Sequence, residues 1–284
     1  EAHLNFDPHN SNSWYGIAIN CENEILKNKN VRKALSYAFN VDRIIKNTYA
    51  SIPRAGRPEL VAKRINGPFN PLWGLGDSNL EVFPYDERKA IELLDKAGLV
   101  YQNPKEKYYR SVYNSSSGKR EKVSFRLLYN KGKFEAGSPE TSIIRFFIRS
   151  MERLGIEILE VDVDAKQYGK IIQDSNKYDL VFVYNEFGWG SNISPLFTQG
   201  NKKNISRFYD AYLTGYLNQF NSTTKPKERI KYADEIHNYI YENAPYIWMY
   251  RIDKIMAYRK ELNVKQVVPR YFFTHIADWY FDID

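Results

Sequence analysis

The sequence predicts an α/β fold in which a wound, mixed sheet is flanked by helices. Two patterns and the composition carry that expectation. Over residues 123–184 a strand, a helix, a strand, a short helix and a strand follow one another. Such alternation implies parallel strands joined by right-handed crossovers. The last of these strands, Tyr178-Asp179-Leu180-Val181-Phe182-Val183-Tyr184, is apolar almost without a break. A strand of that kind is buried on both faces of its sheet. Hydrophobic residues are 43% and charged residues 26% of the chain, which supports a packed core and excludes disorder.

The elements follow in order. Residues 14–20 read as a buried strand. Val31, Leu35 and Ala38 recur at helical spacing over residues 31–39, with Asn30 as the cap, and Asn40 caps a second short helix carrying Ile44 and Ile45. Residues 52–84 contain Pro53, Pro58, Pro68, Pro71 and Pro84. They predict a long extended segment lying along a surface. Asp86 starts a helix whose apolar face is Ala90, Leu93, Leu94 and Ala97, and Gly98 ends it. Residues 105–122, broken at 114–118, read as a hairpin with a loose tip. In the wound part, the strand over 123–129 alternates. The helix over 139–154 places Ile143, Phe147, Met151 and Leu154 on one stripe and stops at Gly155. A strand over 156–163 and a short helix over 167–174 lead into the buried strand.

Beyond it, a helix over 205–220 carries Phe208, Tyr212 and Tyr216 at i, i+4 and i+8. Thr224 caps a helix that opens at Pro226 and runs to about Asn243. Residues 245–250, 255–259 and 279–283 read as strands. There is no internal repeat.

The length of 284 residues allows one large domain or two ordinary ones. No run reaches the roughly 18 apolar residues of a membrane helix. One cysteine, Cys21, permits neither an internal disulfide nor a thiolate metal cluster. The net charge of +7 is mild, and its bases are interleaved with acids, as in Lys225-Pro226-Lys227-Glu228-Arg229, which argues against a nucleic-acid surface. The chain opens at Glu1 without an initiator Met, so a processed chain or a fragment is expected. No dinucleotide-binding, phosphate-loop or nucleophile-elbow motif is present, and His3, His9, His237 and His275 lie at no ligand spacing. No cofactor is expected. His237, between Ile236 and Tyr239, reads as a half-buried packing residue. The acids Glu157, Glu160, Asp162 and Asp164 read as a solvated strand face rather than an acid–base pair. The aromatic content, 23 Tyr, 16 Phe and 5 Trp, is high, and tyrosine joins an apolar body to a polar tip.

One constellation stands out. The buried strand runs into Asn185-Glu186-Phe187-Gly188-Trp189-Gly190-Ser191-Asn192-Ile193-Ser194-Pro195. In open wound sheets, ligands bind beyond the carboxyl ends of the strands. Two glycines, a Trp, two Asn and a Glu supply a flat platform, amides that donate and accept, a charge, and closely approachable backbone. The plainer alternative is an irregular loop whose Trp plugs the core.

Asn30-Val31-Arg32-Lys33-Ala34-Leu35-Ser36-Tyr37-Ala38-Phe39-Asn40-Val41-Asp42-Arg43 follows the strand holding Tyr15 and Asn20. Tyr85-Asp86-Glu87-Arg88-Lys89-Ala90, Gly155-Ile156-Glu157, Tyr178-Asp179-Leu180 and Glu242-Asn243-Ala244-Pro245-Tyr246-Ile247, with Tyr250, come after it in order. This ordered set resembles the family 5 solute-binding proteins of bacterial ABC importers, a group with oligopeptide-, dipeptide- and nickel-binding members. The resemblance covers nearly the whole chain and implies the carboxyl-terminal part of a longer, two-lobed protein. The expected fold is thus a type II periplasmic-binding-protein lobe. Residues 1–13 would end a lobe-one segment, 14–254 form the ligand-binding lobe two, and 255–284 supply strands returning to lobe one.

In such proteins the lobes close over a ligand by hinge motion. On the resemblance, Trp14, Tyr15, Asn185, Glu186, Trp189, Asn192 and Tyr250 line the cleft, with Trp189 as platform and Glu186 as counter-charge to an ammonium group. Peptide-binding relatives carry an Asp in the loop, and none stands between Tyr184 and Pro195 here. The implied function is non-enzymatic capture of an oligopeptide or other small solute and its delivery to the transmembrane subunits of an ABC permease. The implied molecule is a monomer in the periplasm or on the outer face of the cell membrane, with a lipid anchor placed outside this chain. Two alternatives stand beside this. One is the ligand-sensing module of a transcription regulator. The other is an α/β hydrolase or transferase, for which the loop offers only Glu186 and Ser191.

Overall fold

The computed structural model describes residues 4–9, 12–49, 62–101, 108–130, 138–187, 191–265 and 275–282. In chain order the strands are β1 (Leu4–His9), β2 (Ser13–Ile19), β3 (Ala62–Arg64), β4 (Val100–Tyr101), β5 (Arg110–Asn114), β6 (Lys119–Lys122), β7 (Ser124–Asn130), β8 (Glu157–Val163), β9 (Leu180–Glu186), β10 (Tyr246–Ile252), β11 (Lys254–Arg259), β12 (Leu262–Asn263) and β13 (Tyr280–Phe281). The helices are α1 (Lys29–Ala38), α2 (Val41–Tyr49), α3 (Glu87–Lys96), α4 (Pro139–Arg153), α5 (Ala165–Ile171), α6 (Ala211–Ser222) and α7 (Pro226–Asn243).

The main sheet has six strands in the order β3-β10-β2-β9-β7-β8. β7 runs parallel to both β8 and β9, as the strand–helix alternation predicts. β2 is antiparallel to β9 and β10, and β10 to β3, so the sheet is mixed. Every residue of β2 is buried, because successive side chains enter opposite cores. Ile17 and Ile19 join a core with Val31, Leu35, Ile44, Phe147 and Leu94, beneath α1 to α4. Trp14 and Ala18 join a second core with Leu213, Leu217, Phe220, Ile236 and Ile240 of α6 and α7.

The helix ends show local chemistry at work. Asp86 Oδ1 accepts from Lys89 N at 2.9 Å, and Asn40 Oδ1 accepts from Arg43 N at 2.9 Å, both as expected. Gly98 and Gly155 follow α3 and α4 with φ of +79° and +73°, the left-handed region that glycine enters freely.

Five expectations are corrected. The cap of α1 is Asn28, whose Oδ1 accepts from Asn30 N at 2.9 Å, and Asn30 itself is helical. α5 starts at Ala165, because Asp164 Oδ1 accepts from Gln167 N at 2.8 Å. α6 starts at Ala211 rather than 205, because Asp210 caps it and Arg207 sits at φ +54°. Phe208 is therefore off the helix, and the stripe facing the core is Leu213, Leu217 and Phe220. α7 has Lys225, not Thr224, at its cap position, and no side chain caps it. The strand expected over 279–283 is reduced to β13.

The proline-rich segment contributes β3 to the sheet edge and then wraps the second core with Ile65 and Phe69. His237 is buried beneath it rather than half-buried. A Cβ on Gly67 would stand 2.2 Å from its Nε2, and one on Gly76 would stand 2.6 Å from its Nδ1. The two glycines therefore form the slot that admits the ring.

β4, β5 and β6 make a separate three-stranded sheet, the expected hairpin included. It is fastened by Arg110, which has no exposed surface. Its Nε donates to Leu154 O at 2.8 Å, its Nη1 to Asp95 at 2.5 Å, and its guanidinium lies 4.4 Å from the Tyr101 ring. Among the described residues, β1 and β11 pair only with each other, antiparallel, outside the main sheet. β8 forms the far edge of that sheet, with Glu160 and Asp162 exposed along it.

Candidate functional site

The start of β2 and the ends of β7, β9 and β10 meet at one end of the main sheet. Ser13 is opposite Glu186, Tyr15 opposite Tyr184, and Tyr250 opposite Tyr15. Alternation divides the side chains there between the two faces.

On the face toward α2 and α4, four tyrosines cluster. The Tyr15 ring lies 4.8 Å from Tyr184 and 5.4 Å from Tyr250, and Tyr49, at the end of α2, lies 5.8 Å from Tyr250 at 80°. The Tyr49 and Tyr250 hydroxyls are 3.2 Å apart. Tyr15 Oη donates to Glu140 Oε1 at 2.6 Å. Glu140 stands in the first turn of α4, which begins after Ser138 caps Thr141 N. Burial, and then the Glu140 carboxylate, raise the Tyr15 pKa far above the usual phenol range. Burial and the Tyr49 hydroxyl do the same to Tyr250, and burial pushes Tyr49 up to about 12. All three remain protonated donors at physiological pH. Tyr184, 39% exposed, is the open ring of the group, and Glu186 lies exposed on the same face of the same strand.

The opposite face holds the rest. Trp14 is 1% exposed, with Trp248 at 4.8 Å, Tyr246 at 5.9 Å and Phe187 at 6.3 Å. It is a core residue, which corrects its placement on a cleft wall: one step along a strand turns the side chain through the sheet. Asn185, opposite Trp14, is on this face as well. Arg251 and Asp253 form a buried ion pair at 2.9 Å, and Lys63 Nζ approaches the same carboxylate at 3.1 Å.

The loop after β9 is pinned at both ends. Phe187 N donates to Asn12 O at 2.7 Å, and Asn12 Oδ1 accepts from Asn70 at 2.9 Å. Beyond the gap, Arg229 donates to Ser191 Oγ at 3.1 Å. Asn192 is exposed and its Oδ1 accepts from Ser194 N at 3.0 Å, opening a 3-10 turn (Ser194–Leu196). Trp189 lies outside the described residues.

Of the seven residues singled out in the sequence, Tyr15, Glu186 and Tyr250 share the tyrosine-lined face, where Tyr15 and Tyr250 are buried behind the exposed Tyr184 and Glu186. Tyr49, Tyr184 and Glu140 were missed. Tyr184 could have been found from its alternation with Phe182 on the same strand. Glu140 reads in sequence only as an ordinary first-turn acid, and nothing in the sequence brings it to Tyr15. Among the described residues no group of three or more His, Cys, Asp or Glu side chains could hold a metal ion. The chemistry on offer is recognition: aromatic faces, hydroxyl donors and a carboxylate.

Residues 2–207 match the Bacterial extracellular solute-binding proteins, family 5 Middle. The chain belongs to this family. The oligopeptide-binding protein AppA of Bacillus subtilis is 24% identical to this family 5 chain over 277 residues, covering 94% of the chain and 47% of AppA. The glutathione-binding protein GsiB of Escherichia coli (strain K12) is 22% identical over 264 residues, covering 89% and 45% respectively. The solved structure of the Bacillus subtilis AppA in complex with a nonapeptide superposes with a TM-score of 0.76 at 21% identity, over 99% of this chain and 53% of AppA. The family 5 chain thus spans about half the length of the curated relatives it matches. Its mixed sheet with helices on both faces is the fold expected of a type II periplasmic-binding-protein lobe.

Proposed function

We propose that this chain is the greater part of the carboxyl-terminal lobe of a solute-binding protein that captures an oligopeptide between two lobes and delivers it to an ABC permease. The observation that carries the reading is the tyrosine-lined end of the main sheet, where Tyr15, Tyr184 and Tyr250 converge at the carboxyl ends of β9 and β10. The exposed Tyr184 phenol, backed by the buried Tyr15 and Tyr250 rings, would pack against apolar side chains and donate to peptide carbonyls, which suits ligands of variable sequence. The names of AppA and GsiB, and the nonapeptide in the AppA structure, support a peptide as the class of solute. Residues 14–254 would form the gripping lobe, and the separate β1–β11 ribbon would carry residues 1–13 and 255–284 toward the other lobe. Glu186, Asn185 and Asn192 remain proposed contributors through the loop after β9. The whole protein would work outside the inner membrane.

Native mass spectrometry of the full-length protein, purified without denaturation, tests this. A heterogeneous ladder of bound peptides is the expected result. A bound sugar or metal chelate would redirect the reading within the family, and DNA-dependent behaviour of the intact protein would replace it with a sensor.

A further inference from the structure

We propose that the Tyr15–Glu140 pair recognises a positively charged group, an ammonium or guanidinium, on the ligand; this rests on the reading of the tyrosine-lined wall as ligand-facing. The chain carries a net charge of +7, yet among the described residues the charged side chains that accompany the four tyrosines here are two glutamates, Glu140 and Glu186. Arg251 and Lys63, at the same sheet end, both face Asp253. Glu140 accepts from Tyr15 and pairs with no Lys, Arg or His among the described residues.

An acid in the first turn of α4 interacts favourably with the helix amino terminus. That accounts for the residue type but not for the orientation. Tyr15 is 6% exposed, and its hydroxyl fixes one carboxylate oxygen at 2.6 Å. A carboxyl held in this way keeps its other oxygen for a second donor. The adjoining Tyr184 ring, 39% exposed, adds aromatic surface beside the carboxylate, which also favours a cation. A cation at this position would meet a charge-assisted hydrogen bond and an aromatic face together, whereas a ligand carboxylate there would be repelled. Glu140 is the charge-reading residue in this arrangement, and Tyr15 is a positioning residue.

The test is calorimetry on the full-length protein stripped of co-purified ligand. Four probes are used: a pentaalanine-based peptide with a central lysine and its glutamine counterpart, each with a free or an acetylated amino terminus. The wild type should favour a charged probe by about tenfold or more, the scale of one charge-assisted hydrogen bond. Loss on acetylation identifies the terminal amine as the group read, and loss on exchanging lysine for glutamine identifies a side chain. Glu140→Gln should reduce that preference to within about threefold, and Tyr15→Phe should reduce it in part. A preference that survives Glu140→Gln, or a wild type indifferent to charge, overturns the inference and leaves the peptide reading standing. A wild type that binds none of the four overturns the peptide reading itself.

Discussion

Trp14 and Tyr15 are neighbours in the chain and enter different cores of the molecule. Composition marks both as aromatic, and only their alternation along β2, fixed by its register against β9, assigns each to its core. Individual side chains were legible where local rules decide them, as with Asn40, Asp86 and Gly98. They were not legible where a distant element supplies the partner, as with Glu140 and Tyr15, 125 positions apart. His237 shows the same limit. Its buried state depends on Gly67 and Gly76, which belong to a segment far away in sequence. Burial holds its imidazole below its ordinary value of about 6.5, with the Asn66 backbone carbonyl and the Asp77 carboxylate, which favour the protonated ring, pulling the other way.

The unfolded state therefore binds the proton more readily than the folded state. Stability from this group is complete above about pH 6.5 and is lost as the pH falls through the lowered value. Urea unfolding at pH 7.5 and pH 5.0 should show a smaller loss on acidification in His237→Gln than in the wild type. Equal losses would refute the assignment. Gly67→Ala should destabilise by about 1–3 kcal/mol, since its methyl would collide with the ring.

At the scale of elements, the long periodic segments matched well and the boundaries shifted by a few residues. α6 is the instructive miss. Phe208, Tyr212 and Tyr216 have perfect helical spacing, yet Asp210 accepts from Leu213 N at 2.8 Å and starts the helix after Phe208. A capping carboxylate outweighed apolar spacing, because amide donors at a helix start need acceptors. The same Asp210 accepts from the Tyr239 hydroxyl at 2.5 Å, which ties α6 to α7. Asp210→Ala removes both bonds and should cost about 1–3 kcal/mol, measured by chemical denaturation. Asp86→Ala, which removes a cap alone, should cost about 1 kcal/mol. A larger effect at Asp86 than at Asp210 would contradict this ordering.

The whole molecule was legible in its class: alternation in the centre of the chain predicts the parallel strands, and the sheet contains them. Of the antiparallel additions, β2 and β10 come from segments about 230 residues apart and have no local signature of their pairing. The same distance hides the cluster of Arg251, Asp253 and Lys63 at the sheet's end. Asp253 is 2% exposed, and burial lowers the Arg251 pKa while Asp253 opposes that shift. Asp253→Asn leaves a buried guanidinium without its counter-charge and should destabilise by about 3–5 kcal/mol in thermal or urea unfolding. A change under 1 kcal/mol would show that solvent or another anion reaches Arg251.

β8, the last strand of the main sheet, leaves one row of backbone donors and acceptors facing outward. Such a row is a template on which a second chain can add a strand. Glu160 and Asp162 put two like charges along it, and Leu159 beside them is 46% exposed. Two copies meeting at this edge would bring four carboxylates together. The acids that read as a merely solvated face would thus oppose self-association, and a Glu160→Val, Asp162→Val variant should form soluble oligomers or aggregates by light scattering while melting near the wild-type temperature.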